Sequence, residues 1–308
     1  MVNEKPKVSI VIVSWNTRRL TTECIASVYD KNKKAPFETI VVDNASSDDS
    51  VFWIQKEFPQ VAIIRNNKNT GFAHANNQAI REAKGDIVLM LNSDTALISN
   101  EILQTLVDYF SAHPETAVLG AKLLLPDGSI QSIGRKFWSL KRCIQVHLLF
   151  ISGQFWLSKR TIPRTVEADY VDGAFLAFPK KVVDKIGLLD ESFFMYAEDM
   201  EFCARIRRAG YKVVVLTDIE VIHYHAASSR QNFAEMLLES AKNISRFINI
   251  HEGPFQAKAA FVVQTIGMAL RLPISLVRKP ALVHAYWSGF RKCVALWWDL
   301  DSIFQDSL

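Results

Sequence analysis

Three short stretches of the 308-residue chain carry side chains able to act together: Asn92-Ser93-Asp94 after the apolar run Val88 to Leu91, Glu198-Asp199 ahead of Met200 and Cys203, and His223 with His225 after Val221-Ile222. Positions 92 and 94 have the same parity on an extended segment, so both side chains can face one ligand. A diphosphate chelated to Mg or Mn needs hard oxygen ligands, one or two of them protein carboxylates, with phosphate and water completing the shell. Asp94 meets that demand and Asn92 offers a neutral oxygen; a turn capped by the Asp is the structural alternative. His223 and His225 share a face at a strand end, where a neutral imidazole can complete a metal shell, meet a diphosphate, or simply be hydrogen-bonded.

These residues need a scaffold, and the first half of the chain supplies a repeating one. Val8 to Val13 is a β-branched run of the kind buried on both faces, followed by a helix with Leu20, Cys24, Ile25 and Val28 on one side. Thr39 to Val42, Val61 to Ile64 and Ile87 to Leu91 repeat the strand, with helices expected over Val51 to Phe58, Gly71 to Ala83 and Glu101 to Phe110. Ser46 to Ser50 offer N-caps for the second helix. Strands alternating with helices predict an α/β fold with a mostly parallel sheet sandwiched between helices. Neither GxGxxG nor GxxxxGK[ST] occurs, which removes the main support for dinucleotide and P-loop readings.

In open parallel sheets the ligand sits outside the carboxyl ends of the strands. Those ends are Ser14-Trp15-Asn16-Thr17, Asp43-Asn44-Ala45-Ser46, Arg65-Asn66-Asn67 and Asn92-Ser93-Asp94. Ser14, Asn16, Asp43, Asn44, Asn67, Asn92 and Ser93 are therefore candidate nucleotide contacts, Asp43 accepting from a ring N–H or a ribose hydroxyl. Asp43 and Ser46 could equally cap the next helix. Gly71 opens a helix whose first amides can meet phosphate or merely close a turn. Pro126-Asp127-Gly128 reads as a turn between short strands, Gly173 to Phe178 as a strand beneath an acceptor site with Asp172 as a sugar contact, and Arg205, Arg207 and Arg208 as a solvated helix face.

Charge is unevenly spread. Residues 128 to 166 hold no Asp or Glu but seven Lys and Arg, and residues 253 to 298 hold six more without an acid. Of 36 basic residues, 23 remain against 32 acids in the rest of the chain, about −9. The same stretches hold Trp138, Trp156, Trp287, Trp297 and Trp298. Basic side chains mixed with Trp and Leu suit an anionic membrane surface; the apolar runs fit lipid better than nucleic acid, which is not expected as a partner. A packed helical appendage with a solvated basic face is the alternative. Residues 259 to 277 come closest to a span, yet Gln264, Arg271 and Pro273 interrupt them, so peripheral, in-plane association is expected. Cys24, Cys143, Cys203 and Cys293 lack CxxC pairing, which argues against zinc knuckles or a disulfide framework. With no signal-peptide order at the N-terminus, a cytoplasmic location is expected.

"VSIVIVSWNT", "ETIVVDNASSDDS", "NNKNTGFAHANNQAI", "GDIVLMLNSD", "VDGAFLAFPKKVVDKIGLLDESFFMYAEDMEFCARIRRAGY" and "VIHYHAASS" stand in the order found in family 2 glycosyltransferases with the GT-A fold, and most resemble the rhamnosyltransferase-like branch. The resemblance covers roughly residues 6 to 230. It implies a GT-A domain over 1–230; the charge and Trp pattern adds a basic, Trp-containing acceptor or membrane insertion at about 135–165 and a helical, membrane-associating region over 231–308, where the resemblance is only loose.

The resemblance also implies an inverting transfer of a sugar from a nucleoside diphosphate sugar, best guess dTDP-rhamnose, to a polyprenyl-linked or cell-surface glycan hydroxyl, with Mg or Mn. By position, Asp43 looks like the nucleotide-contacting acid, Asp94 like the metal-binding end of a DxD motif, His223 like its companion, and Asp199 of Glu198-Asp199 like the general base. Asn92 departs from the strict motif and puts metal affinity in question. Asp172 and Gly173 fall on the acceptor side. Chemically, inversion needs a base beside the acceptor hydroxyl and neutralisation of the departing diphosphate. Asp199 lies in a helical first turn, where the macrodipole stabilises a carboxylate and lowers its basicity unless burial or Glu198 offsets it. Competing readings are a sugar nucleotidyltransferase, for which the Trp15-Asn16-Thr17 turn lacks a glycine-rich basic loop, and a non-catalytic membrane-associated scaffold.

Overall fold

The computed structural model describes residues 5–151, 162–224, 233–301 and 303. The chain divides into two compact units. The first comprises residues 1–136, 162–194 and 198–228, the second 137–161, 195–197 and 229–308.

The first unit is one ten-stranded sheet with helices. Its β-branched runs become β1 (Val8–Ser14), β2 (Phe37–Asp43), β3 (Ala62–Arg65) and β4 (Ile87–Asn92), separated by α1 (Arg18–Lys31), α2 (Ser50–Glu57) and α3 (Phe72–Glu82). Their order, β3-β2-β1-β4, is parallel throughout, as the strand–helix alternation requires. Val8, Ile10, Val11 and Ile12 are all fully buried, which explains why the run is continuous and does not alternate.

Beyond β4 the pairing is mixed. β5 (Thr95–Leu97), α4 (Ile102–Ala112), β6 (Thr116–Leu124), β7 (Ile130–Ser132), β8 (Thr165–Glu167), β9 (Phe175–Pro179), α6 (Val182–Ile186), α7 (Glu198–Arg208) and β10 (Lys212–His223) complete the unit. The sheet continues β4-β9-β6-β10-β5, with β7 on β6 and β8 on β10. β9 runs antiparallel to both neighbours because it enters after a long excursion of chain and not through a helical crossover. The Pro126-Asp127-Gly128 turn joins β6 to β7, closed by Gly128 N–H to Leu125 O at 2.9 Å.

The start of α2 falls within the Ser46 to Ser50 stretch expected to cap it: Asp48 accepts from the Ser50 N–H and Asp49, ahead of the helix, takes a left-handed φ of 60°, while the alternative caps Asp43 and Ser46 are not used.

The second unit is helical: α5 (Leu140–His147), α8 (Phe233–Glu252), α9 (Pro254–Arg278) and α10 (Val283–Ala295). It brings the two acid-free stretches of the sequence together, since Arg271 of α9 donates to Val146 O of α5 at 3.0 Å. Ala241, Phe261, Met268, Cys293 and Ile303 form its core. Trp156, Lys159 and Arg160 of the expected insertion lie outside the described residues.

Candidate active site

Register sets the level of the strand tips. Ser14 pairs with Asp43, Asp43 with Arg65, and Val13 with Asn92, so these carboxyl ends finish within one residue of each other. The side chains there divide into those that build the tips and those left free.

Ser14, Thr17, Thr21 and Ser93 form a buried hydroxyl cluster, with Ser14 Oγ 2.9 Å from Thr21 and Ser93 Oγ 3.1 Å from Thr17. Ser14 and Ser93 thus hold the β1 and β4 tips to each other. Asn16 takes φ 53°, accepts the Ser47 N–H and has its own N–H bonded to Ser46 Oγ, which locks the β1 turn to the β2 turn. Asn44 is the hub of the β3–α3 loop. Its Oδ1 accepts from Asn66, from Thr70 N–H at 3.0 Å and from the Thr70 hydroxyl, and its Nδ2 reaches Asn69 and Gly71 O. Asn67 is exposed in the same loop. Gly71 has φ +85°, and a Cβ there would meet Phe194 O at 2.5 Å. The Phe72 N–H at the start of α3 is occupied by that carbonyl.

Two oxygens at these tips are buried without a hydrogen-bond partner: Asp43 Oδ1 and Asn92 Oδ1. Asp43 Oδ2 is used by the Ser46 N–H at 3.2 Å. Buried orphan acceptors are costly, and at strand tips they are the groups a ligand donor satisfies.

Antiparallel pairing of β5 with β10 places Thr95 opposite His223, and the Tyr224 N–H donates to Asp94 O at 2.9 Å. The sheet therefore joins Asp94 and His223, both largely buried, with Asp94 Oδ1 3.2 Å from His223 Nε2. Gln131 Oε1, from β7, lies 3.2 Å from His223 Nδ1. With Nδ1 donating to Gln131, Nε2 turns its lone pair toward the carboxylate, and a proton or a divalent cation between the two satisfies both. His225, Ser228 and Ser229 lie outside the described residues.

Asp94 and His223 form a hard oxygen and imidazole donor pair, with the orphan oxygen of Asn92 at the neighbouring β4 tip. Among the described residues no group of three or more His, Cys, Asp and Glu gathers as a metal centre. The pair fits a cation whose remaining ligands are phosphate and water, and does not fit a closed all-protein cage.

Asp199 opens α7 with both oxygens held by backbone: Oδ2 accepts from Gly173 N–H at 2.8 Å and Oδ1 from Met200 N–H at 2.7 Å. Burial, followed by the negative charge of Asp172, pushes its carboxyl up to about 6 against the hydrogen bonds that pull it down. Burial therefore outweighs the helix end. Glu198 is held well above the ordinary carboxylate range by burial and then by the charge of Asp199, and its Oε2 is buried without a partner. The two carboxyls are neighbours and titrate as a pair.

Asp172 stands beside them, its Oδ1 in a 2.6 Å ion pair with Arg135 Nε and its Oδ2 buried and unpartnered. The sequence marks Arg135 only as one charge in a basic stretch. Gln131 carries no sequence signal either, since its value lies in a pairing with a strand far along the chain. Arg205 is not merely solvated: it pairs with Glu201 at 2.8 Å and donates to Leu188 O.

The fold of this sheet with its helices is GT-A-like, as its likeness to solved structures shows. The mannosyltransferase PcManGT of Pyrobaculum calidifontis, solved with GDP-Man and Mn2+, matches with TM-score 0.56 at 17% identity over 98% of this chain and 86% of its own. The chain belongs to the family described as Glycosyltransferase like family 2, which it matches over residues 6–240. It is 26% identical over 256 residues to the N-acetylglucosaminyl-diphospho-decaprenol L-rhamnosyltransferase of Mycobacterium tuberculosis, covering 77% of this chain and 82% of that one. It is 29% identical over 231 residues to the uncharacterized protein y4gI of Sinorhizobium fredii, covering 72% of this chain, and spans 25% of that relative's length.

Proposed function

We propose that this protein is an inverting, metal-assisted glycosyltransferase that moves a sugar from a nucleoside diphosphate sugar to a glycan hydroxyl. The observation that carries the reading is Asp199: a half-buried carboxylate fixed by two backbone amides, with its pKa pushed up to about 6. At neutral pH such a group is ionised yet basic enough to take a proton.

In this reading Asp199 accepts the proton of the acceptor hydroxyl as that oxygen bonds the anomeric carbon, whose bond to the diphosphate oxygen breaks, releasing the nucleoside diphosphate. Glu198, which burial and then the Asp199 charge push toward its neutral form, limits the negative charge in the pocket. Asp172 and Gly173 serve the acceptor side, Asp172 through its free oxygen. Asp43 takes a donor from the nucleotide, while Ser14, Asn16, Asn44, Ser93 and the Asn67–Gly71 loop shape the surface it rests on. Asp94 and His223 would hold Mg or Mn, with Asn92 contributing an uncharged oxygen; when bound, the cation neutralises charge on the departing diphosphate.

The name of the mycobacterial relative supports rhamnose as the sugar and a polyprenyl diphosphate-linked acceptor; dTDP-rhamnose is the donor taken from the family resemblance. An anionic lipid surface suits the second unit. Among the described residues one helix, Pro254–Val277, is long and apolar enough to cross a membrane, with 39% of its apolar window buried. Gln264 bonds Ala241 O and Ser245, and Arg271 bonds Val146 O, so the residues that interrupt its apolar run are used in helix packing. That favours lying on the inner face of the cell membrane over crossing it.

The test is release of nucleoside diphosphate from a panel of nucleotide sugars with a membrane extract as acceptor, comparing wild type with Asp199→Asn. Acceptor-dependent release from one donor, lost in the variant, supports the reading. No release from any donor by a folded protein that still binds vesicles overturns it in favour of a scaffold.

A further inference from the structure

Arg135 is fixed more firmly than a charge in a surface stretch needs to be. Its N–H donates to Tyr170 O at 2.9 Å, and its carbonyl accepts from the Asp169 and Tyr170 amides, so it pairs like a strand residue with the segment just before Asp172. Gly134, at φ +90°, lets this segment lie flat: a Cβ there would stand 2.5 Å from the Ala168 Cβ. The guanidinium then reaches Asp172 Oδ1 at 2.6 Å. The next peptide unit, Asp172-Gly173, supplies the N–H that holds Asp199 Oδ2 at 2.8 Å.

We propose that Arg135 is the positioning residue of the acceptor side: by fixing Asp172 it aims the Gly173 amide at Asp199 and leaves the other Asp172 oxygen to receive a hydroxyl of the incoming acceptor sugar. Arg135 touches neither substrate nor the reacting atoms. The inference rests on the glycosyltransferase reading for the acceptor's identity, but the structural chain from Arg135 to Asp199 does not.

Arithmetic of charge favours the arrangement. Asp172 and Asp199 are two acids in one buried neighbourhood with Glu198, and Arg135 is the cation that offsets them. The other titratable group facing Asp199 is Cys203, one turn along α7, whose thiol burial holds neutral by pushing its pKa far up. Without Arg135, Asp172 would be an unpaired, partly buried carboxylate beside Asp199, and its orientation would be set by repulsion. Arg suits the position better than Lys because its planar head holds a carboxylate in one orientation.

The experiment uses the full chain with Arg135→Gln, Arg135→Lys and Asp172→Asn, measuring the pH–rate profile, KM for donor and acceptor separately, and the Asp199 carboxyl titration by 13C NMR. Arg135→Gln is expected to lower kcat by roughly 10- to 100-fold, the scale of a misplaced reacting group. It should also raise the acceptor KM, leave the donor KM unchanged and move the acidic limb to higher pH. Asp172→Asn should move that limb to lower pH while raising the acceptor KM. Arg135→Lys keeps the charge and should hold the limb near its wild-type place with a poorer acceptor KM, which covers the case in which the Gln variant fails to fold.

A wild-type acceptor KM and limb in a folded Arg135→Gln protein would overturn the inference while leaving the glycosyltransferase reading intact. So would equal loss of donor and acceptor binding with a lowered melting temperature, which is plain structural damage. If the wild type transfers from no donor, the NMR titration still decides: an Asp199 carboxyl unmoved by Arg135→Gln and Asp172→Asn sinks the proposal.

Discussion

The Gly173 N–H binds Asp199 Oδ2 at 2.8 Å, and the carbonyl of the following residue, Ala174, accepts the Asn92 N–H at 3.1 Å. The β4 tip and Asp199 are thereby tied to consecutive residues of the one segment leading into β9, so the proposed acceptor and donor sides share a support. Removing the base should consequently leave the tip in place. Asp199→Asn is expected to bind nucleoside diphosphate as wild type does and to lose about 10²- to 10⁴-fold in kcat, the usual contribution of a positioned base. The wild-type kcat profile should show an acidic limb near pH 6, because protonated Asp199 cannot accept the hydroxyl proton. Isothermal titration with the nucleotide and a pH series of initial rates check both halves; a variant that retains turnover would reassign the base.

Glu198 tests the same neighbourhood through stability. Its folded pKa lies well above the ordinary 4.5, so between these values the native chain keeps a proton that the unfolded chain releases, and stability falls as pH rises through that window. Gln cannot ionise. Glu198→Gln should therefore melt with wild type near pH 4 and above it at pH 8, by roughly 2–4 °C for each kcal/mol relieved in a chain of this size. Thermal melts at the two pH values measure the difference, and a Gln variant less stable at pH 8 would mean that the Glu198 carboxyl is ionised and paired in the native state.

How much of this could be read from the chain differs by distance. The parallel half of the sheet and its tips were legible because β-branched runs and polar ends are local signals, and Asp43, Asn92 and Asp94 stand at those ends. The parity argument for Asn92 and Asp94 gives no hint that β10 returns beside β5 to bring His223 to Asp94; that follows from antiparallel register, which no local pattern encodes. The reversal of β9 was hidden for the same reason. Ser14, Asn44 and Ser93 are polar at a tip, as any ligand-binding residue would be, and only their hydrogen-bond partners show that they build the tip. Residue type cannot separate a group that is satisfied from one left open.

Asn92 is open, and this makes its replacement informative. The Asn92 Oδ1 is buried without a partner, so Asn92→Asp places a second charge where a neutral acceptor now stands. Metal affinity rises with the number of charged oxygen ligands. Asn92→Asp is expected to lower the Mn2+ concentration for half-maximal activity several-fold, and His223→Ala to raise it, with chelation abolishing turnover in all three proteins. Mn2+ titrations followed by activity and by electron paramagnetic resonance measure this. Unchanged Mn2+ dependence in Asn92→Asp would place residue 92 outside the metal's reach.

Asn44 predicts a loss of order. Ala at this position would leave the Thr70 N–H and the Thr70 hydroxyl without their acceptor in a part-buried loop, while the Asn66 amide keeps Gln78. Each such group costs about 1–3 kcal/mol when left unmade. Asn44→Ala should lower the melting temperature and raise the donor KM more than it lowers kcat, since the loop belongs to the proposed nucleotide side. Limited proteolysis that cuts first between Asn66 and Gly71 would locate the defect; an intact loop with an altered kcat alone would contradict it.

The second unit gives the last prediction. Trp298 is 94% exposed and Val277 84%, with Phe255, Leu276 and Trp287 also well exposed. Lys279, Arg291 and Lys292 lie in the same acid-free stretch. Exposed Trp beside Lys and Arg is costly in water and favourable at an anionic lipid interface, where each basic residue near the surface contributes about 1 kcal/mol. The protein should co-sediment with vesicles containing phosphatidylglycerol or cardiolipin and much less with neutral ones, and binding should weaken with salt. Trp287→Ser with Trp298→Ser should reduce binding in both low and high salt, whereas Lys279→Gln with Arg291→Gln should reduce it chiefly at low salt, because the apolar contribution is unscreened. Extraction distinguishes the two ways a helix such as α9 can meet a bilayer: release by carbonate or high salt is expected of a helix packed through Gln264 and Arg271 into its own bundle, and resistance to both would mean that it crosses.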